Sequence, residues 1–452
     1  MTTQTTADNN QDRALRPSPP GDSPVHPADR RPLVYGALVL FSWLYYYRPE
    51  DFIPGLSYIP MAKIAGIIGI VALIFAMLSS GKVKIPRAVL FLWLLLFQMT
   101  LCIPFALWRG GAFSTVTDKF SKGVVVAMLI SMCVVSVREL RKLLWIQVSA
   151  ITLVVFFSIA VNHVRDGRLE GIQKSILENP NDLAINIAIS FPLGVAFMLR
   201  ARGFKKAIWA AGLAVLAVGV VLTYSRSGLL AFIISVLVCM WEYGIKGKRK
   251  YLIGVAAAIF LTGLIVVAAS SHYRARVESI VMGNIEGSGD KGSLDARKEL
   301  LKKSIKTALT HPLFGVGPGC FVLVDKGWIV AHNSYTELAA EEGLPALALF
   351  LLAIGAAFKN VAQVRRSQLY EQDPEVRLFT QALWAGLAAY VMGACFASTE
   401  YNLYPYFMVG YTCAMVRITS YLPRADGRGS NDRGLIRAPY ERTPGPQPVW
   451  SR

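Results

Sequence analysis

The sequence predicts an all-α, polytopic integral membrane protein with about twelve transmembrane helices and one long outer loop containing short helices. Three observations predict it. The chain of 452 residues is 54% hydrophobic and only 17% charged, and its mean hydropathy of +0.44 lies well above that of ordinary soluble domains. The apolar residues come in blocks of roughly 18 to 22, the helix length that crosses about 30 Å of hydrocarbon. The links after alternate blocks are strongly basic, and such links stay in the cytoplasm.

Taken in chain order, residues 1–32, with "RPSPPGDSPVHPADRRP", are polar, rich in proline and without the apolar core of a signal peptide. They read as a disordered cytoplasmic tail. Residues 33–270 hold spans near 33–47, 61–78, 88–107, 123–136, 143–162, 182–199, 207–223, 228–243 and 251–270. Residues 271–333 form the long outer loop, and residues 334–421 hold the last spans, near 335–358, 377–397 and 403–421. Residues 422–452 read as a second disordered cytoplasmic tail. Lys82, Lys84 and Arg87, then Arg138, Arg141 and Lys142, then Arg200, Arg202, Lys205 and Lys206, then Lys246 to Lys250, and finally Lys359, Arg365 and Arg366 follow the even-numbered spans. Both termini are therefore expected in the cytoplasm. Cytoplasmic loops and tails carry much of the net charge of +18, so that charge does not argue for a nucleic-acid partner. Of six cysteines, Cys320 alone falls in a clear outer loop, and no CxxC pattern or disulfide pair is evident.

Polar residues that need a reason gather on the predicted outer side. In "DARKELLKKSIKTALTHPLFGVGPG", Leu294, Arg297, Leu301, Ile305 and Ala308 recur at helical spacing, with Lys298, Lys302, Lys303 and Lys306 largely on other faces. The lysines read as a solvated or headgroup-facing surface, whereas Arg297 on the packed stripe needs an anionic partner, from the protein or from a ligand. Pro312, Gly315, Gly317, Pro318 and Gly319 then stop the helix, and His311 reads as a turn or cap residue. "LTYSRSGLLAF" holds Arg226 at the membrane boundary, where it anchors to headgroups beside Tyr224 or serves a function. In "ILENPNDLAINIAISFPLG", Asn181 or Asp182 caps the sixth span, and Glu178, Asn181 and Asp182 are also placed to touch a polar substrate.

"VAHNSYTELAAEEGLPALALFLL" attaches a histidine and three carboxylates to an apolar run. Asn333, Glu337 and Glu341 repeat at four-residue spacing along one helix face, and His332 and Thr336 fall on the adjacent one. A helix N-terminus disfavours an imidazolium, which keeps His332 neutral and able to accept a proton. Gly343 and Pro345 are placed to bend or interrupt the helix before it crosses the bilayer, and Glu341 and Glu342 have no evident role. Two arginines and a neutral histidine at one membrane boundary suit a phosphorylated lipid whose headgroup reacts there. Guanidinium forks bind phosphate oxygens and stabilise a leaving pyrophosphate, and a histidine removes a proton from an attacking hydroxyl.

With "SRSG" at 225–228, Arg297 followed by "HPLFGVGPG", and "HNSYTELAAEEGL" at 332–344, the chain resembles the bacterial O-antigen ligase and O-antigen polymerase superfamily, membrane glycosyltransferases of the GT-C type. The resemblance covers roughly residues 170 to 360. It implies that a glycan on undecaprenyl pyrophosphate is transferred, with inversion, to an acceptor hydroxyl at the periplasmic face of the inner membrane. It further implies that Arg226 and Arg297 engage the pyrophosphate, that His332 acts as base or orients the acceptor, and that no metal or other cofactor is needed; Asn333 and Glu337, beside His332, are candidates for support and substrate binding, as are Asn181 and Asp182. Glu50 and Asp51 in the first outer link are the acidic residues to check for a cation, as in other GT-C enzymes. The acceptor stays open between lipid A core, a growing polysaccharide and other glycans. The competing reading is a flippase or transporter of lipid-linked oligosaccharide, against which stands the lack of an internal repeat or of paired broken helices.

Overall fold

The structure is a computed structural model that describes residues 31–49, 61–80, 85–165, 167–171, 178–249, 254, 289–324 and 329–420. The two expected tails, nearly all of the block near 251–270, the loop from 271 to 288, and Glu50 and Asp51 lie outside the described residues. The described elements, in order, are α1 (Pro32–Tyr47), α2 (Met61–Ser80), α3 (Arg87–Cys102), α4 (Arg109–Ser114), α5 (Ser121–Cys133) and α6 (Val137–Ala160). Then follow a two-residue hairpin of β1 (Val164–Arg165) and β2 (Arg168–Leu169), α7 (Pro180–Arg200), α8 (Phe204–Leu222) and α9 (Arg226–Cys239). After the undescribed stretch come α10 (Gly289–Thr310), α11 (Phe321–Val324), α12 (Ser334–Val364), α13 (Gln368–Gln372), α14 (Pro374–Ala394) and α15 (Tyr404–Ser420).

The expected all-α class is observed, apart from that hairpin. Six described helices are long and apolar enough to cross a membrane: Arg87–Phe105, Val137–Ala160, Pro180–Arg200, Phe204–Leu222, Arg226–Ile245 and Ser334–Val364. That is fewer than the expected twelve or so. Several of the remaining apolar blocks do form helices, but α1 has 16 residues and α15 has 17, and at 1.5 Å per residue each falls short of about 30 Å; α5 continues without a break from α4 through a π-helical stretch at Thr115–Phe120, and that longer helix carries Arg109, Asp118, Lys119 and Lys122. Large apolar side chains such as Trp93, Phe97, Phe156, Leu230 and Leu351 remain exposed on these helices, which is the surface a lipid-solvated bundle presents.

α7 is the buried axis. It packs on α8, α9 and α14, while α12 packs on α3, α10 and α15. The glycine of "SRSG" explains one of these contacts: a Cβ on Gly228 would lie 2.1 Å from the Cβ of Ala184, so only glycine lets α9 approach α7 this closely. The bundle has two chemically distinct ends. At one, Arg141 and Arg200 both pair with Glu375, and Arg365 and Lys246 pair with the buried Glu242. At the other lie the start of α12, the starts of α7 and α9 and the 395–403 link, described next.

Candidate functional site

The start of α12 is built by Asn333. Its backbone is extended and its side-chain oxygen accepts from the N–H groups of Tyr335 (3.0 Å) and Thr336 (3.1 Å), satisfying donors that every helix start leaves open. Its amide nitrogen donates to the Cys395 carbonyl at 2.9 Å, so the whole side chain is spent on holding the helix start against the 395–403 link. Ser334 doubles that seam, donating to the Ala397 carbonyl and meeting the Thr399 hydroxyl and N–H. His332 precedes the cap with φ 55°, a left-handed conformation, and its N–H donates to the Ser398 hydroxyl at 3.1 Å.

Gly343 takes φ 85° and ψ 172°, which breaks α12 as its glycine and proline led one to expect. The break is where "HPLFGVGPG" docks. Val316 and Gly317 donate to the carbonyls of Ala340 and Glu341, and Leu344 donates back to the carbonyl of Pro312. Gly315, at φ 61°, lies so close that a Cβ there would meet the Glu341 backbone at 2.2 Å.

Glu341 and Glu342, left without a role by sequence, lie on the inner side of this junction. The Glu341 carboxylate accepts from the N–H groups of Gly319 (2.9 Å) and Phe321 (2.8 Å), so it shapes the glycine loop. The hydroxyl of Tyr401 reaches both Glu341 and Glu342. Glu337 accepts from the Ala331 N–H at 3.0 Å and from the Ser398 hydroxyl. With Glu400 these are four carboxylates at 3%, 1%, 0% and 1% exposure for Glu337, Glu341, Glu342 and Glu400 respectively. One oxygen each from Glu337, Glu341 and Glu400 lies within 4.8 Å of the others. Sequence reasoning missed Glu400 and Tyr401. The available signal was "STEYN", five polar residues filling a link that needs none for chain reversal.

Asn181 and Asp182 do not cap α7. Asn179 does, its side-chain oxygen accepting from the Asn181 N–H at 2.9 Å with Pro180 at the first helical position. The side chain of Asn181 is thereby released to accept from the Ser225 hydroxyl (2.7 Å) and from the guanidinium of Arg168 (3.0 Å). Arg168 also donates to the Thr223 carbonyl, so the hairpin residue clamps the turn that carries "SRSG". Within that turn Ser225 caps α9, leaving half-buried Arg226 as its first helical residue. Asp182 accepts from the Asn402 amide at 3.3 Å, linking α7 to the same 395–403 link that holds α12.

Arg297 lies half-buried on the packed side of α10, where the expected Ala308 is buried and Leu301 half-buried, but the rest of the stripe differs. Ile305 is 44% exposed, and the buried residues are Leu300, Ser304, Thr307 and Ala308. The actual stripe thus runs through Arg297, Leu300, Ser304 and Ala308, and the Ser304 hydroxyl donates to that of Thr336 on α12 at 2.9 Å. Arg297 is near enough to His332 to act on it: burial first, and then the Arg297 charge, push the imidazole from 6.5 down to about 4. His332 is therefore neutral at physiological pH, for stronger reasons than its place before a helix. Glu400 moves the opposite way, raised to about 8 by burial and then by Glu341. His311 stays exposed at the end of α10, beside Thr310.

Fold and site define a helical membrane protein whose uncharged histidine, arginines and buried carboxylates gather at the end of the bundle opposite its basic ion-pair network. A family model described as O-antigen ligase matches residues 211–351, from α8 through α9 and α10 into α12. Over these residues, less than half of its length, the chain is similar to that family. No curated protein matches the chain.

Proposed function

We propose that this protein is an O-antigen ligase-like or polymerase-like glycosyltransferase of the bacterial inner membrane. It transfers a glycan from undecaprenyl pyrophosphate to an acceptor hydroxyl at the periplasmic face. The observation that carries this reading is the neutral, half-buried His332 beside Arg297, on a helix start joined by hydrogen bonds to the turn bearing Arg226. An acceptor oxygen attacks the anomeric carbon as its proton passes to His332; the bond from that carbon to the pyrophosphate oxygen breaks, and a single displacement inverts the centre. Arg226 and Arg297 receive the charge that grows on the departing pyrophosphate. Asn333, Glu337 and Asp182 hold these groups in place through the 395–403 link, and Asn181 does so through Ser225. The basic end of the bundle, with Arg141, Arg200, Lys246 and Arg365, faces the cytoplasm in this reading, as do both termini.

Single substitutions of Arg226, Arg297 and His332 by Ala in the native host test it, with surface glycans resolved on a gel. Each is expected to abolish the transferred glycan while the variant is still made. Loss of a ligase leaves the lipid core bare and polymer on its carrier, whereas loss of a polymerase leaves single repeat units. Wild-type glycan from all three variants sinks the site assignment, and intermediates trapped on the cytoplasmic side point to transport.

A further inference from the structure

The buried carboxylates beneath His332 carry an inference separate from glycan transfer. Among the described residues, the donors that reach Glu337, Glu341 and Glu342 are neutral: the N–H groups of Ala331, Gly319 and Phe321 and the hydroxyls of Ser398 and Tyr401. The charge of Lys119 also acts on Glu341. Glu400 makes the cluster more than a group of acids. It is 1% exposed, neither of its carboxylate oxygens has a hydrogen bond of good length and angle although its own N–H, the Thr399 N–H and the Ser334 hydroxyl lie near, and one of them belongs to the set lying within 4.8 Å of one another. An oxygen of Glu342, also fully buried, is without a partner. Buried carboxylate oxygens so poorly satisfied are costly, and a bound cation removes that cost.

We propose that Glu337, Glu341 and Glu400 bind one divalent cation of calcium size. The donor set suits calcium better than magnesium. Calcium takes about six to eight oxygens, carboxylates among them, in flexible geometry at about 2.3–2.6 Å, within reach of oxygens that lie within 4.8 Å of one another, whereas magnesium demands a near-octahedral shell and keeps several waters, which an all-protein carboxylate pocket does not suit. Glu342 and the Tyr401 hydroxyl stand beside the site as further oxygen ligands or as their supports. The cation's role is structural. It joins α12 to the 395–403 link and, through Glu341, to the glycine loop that ends α10, and so fixes the wall that presents His332. It takes no part in the transfer step.

The test reads metal, so its failure is distinct from failure of the transfer assignment. The full chain is purified in neutral detergent with calcium and without chelator, and its metal content is measured by mass spectrometry. One calcium per chain is expected, with loss of at least about tenfold in affinity in Glu400→Gln. Calcium added back to chelator-treated wild-type protein is expected to raise Tm, and magnesium at the same concentration is not. Should Glu400→Gln fail to fold, Glu341→Gln and the wild-type Tm comparison decide the matter. Wild-type protein that carries no calcium and shows no Tm response overturns the proposal, as does a folded Glu400→Gln protein that binds calcium like wild type; in either case the four carboxylates share protons instead.

Discussion

His332 takes a left-handed backbone conformation, is held by its N–H bond to Ser398 and is half-buried, and the burial leaves a measurable trace. Because burial and Arg297 lower its pKa to about 4, the neutral form persists to well below pH 6. If it is the base, the acid limb of the rate profile falls near pH 4 instead of near the 6.5 of a free imidazole. Replacing Arg297 by Gln removes the second cause and is expected to raise the His332 pKa, read by NMR titration because that variant loses transfer; an acid limb at 6.5 in the wild-type protein defeats the assignment. The sign for stability follows from the same shift. Between about 4 and 6.5 the unfolded chain binds more protons at this position than the folded one, so the stability His332 contributes is full above 6.5 and drains away as pH falls toward 4. A histidine and an asparagine at the start of a helix were legible as a residue pattern. Glu400 was not, because it sits some sixty positions from Glu337 and Glu341 and acquires meaning only from their meeting.

Helix boundaries depend on devices that act within about four residues of themselves, and the break of α12 at Gly343 was readable in this way. The caps were not: Asn333, read as part of a helix face, and Ser225 cap α12 and α9. The faces of helices were less readable. On α10 the apolar pattern pointed to Ile305, but the neighbour it packs on is polar at that point, and Ser304 meets Thr336 while Ile305 turns outward. Asn179 displaced Asn181 and Asp182 as cap of α7 because Pro180, which has no N–H to satisfy, fits the first helical position. The α7–α9 contact yields a further prediction. Gly228→Ala places a methyl group 2.1 Å from Ala184 and is expected to cost about 1–3 kcal/mol by overpacking. A Tm equal to wild type would show that α9 does not sit on α7 this closely. Since the same turn carries Arg226, this variant is also expected to lose transfer activity at temperatures where it stays folded.

At the scale of the whole molecule, charge sorts the two ends of the bundle. Arg141, Arg200, Lys246 and Arg365 gather at one end with Glu242 and Glu375, and His332 and the carboxylates at the other. A cysteine in place of exposed His311 is expected to react with an impermeant thiol reagent applied outside, and one in place of exposed Lys205 is not, in a background freed of native cysteines. The opposite result inverts the orientation and puts the site in the cytoplasm. By itself the sequence determined that this is a helical membrane protein, and it marked the three segments bearing Arg226, Arg297 and His332, because hydropathy, turn residues and caps are local properties of the chain. Tertiary structure alone decided that Asn181 reaches Ser225, that Asn402 reaches Asp182, and that Glu341 shapes the glycine loop while meeting Glu337 and Glu400. Such contacts join residues far apart in the chain, and their energy depends on burial and mutual distance, which no run of neighbouring residues encodes.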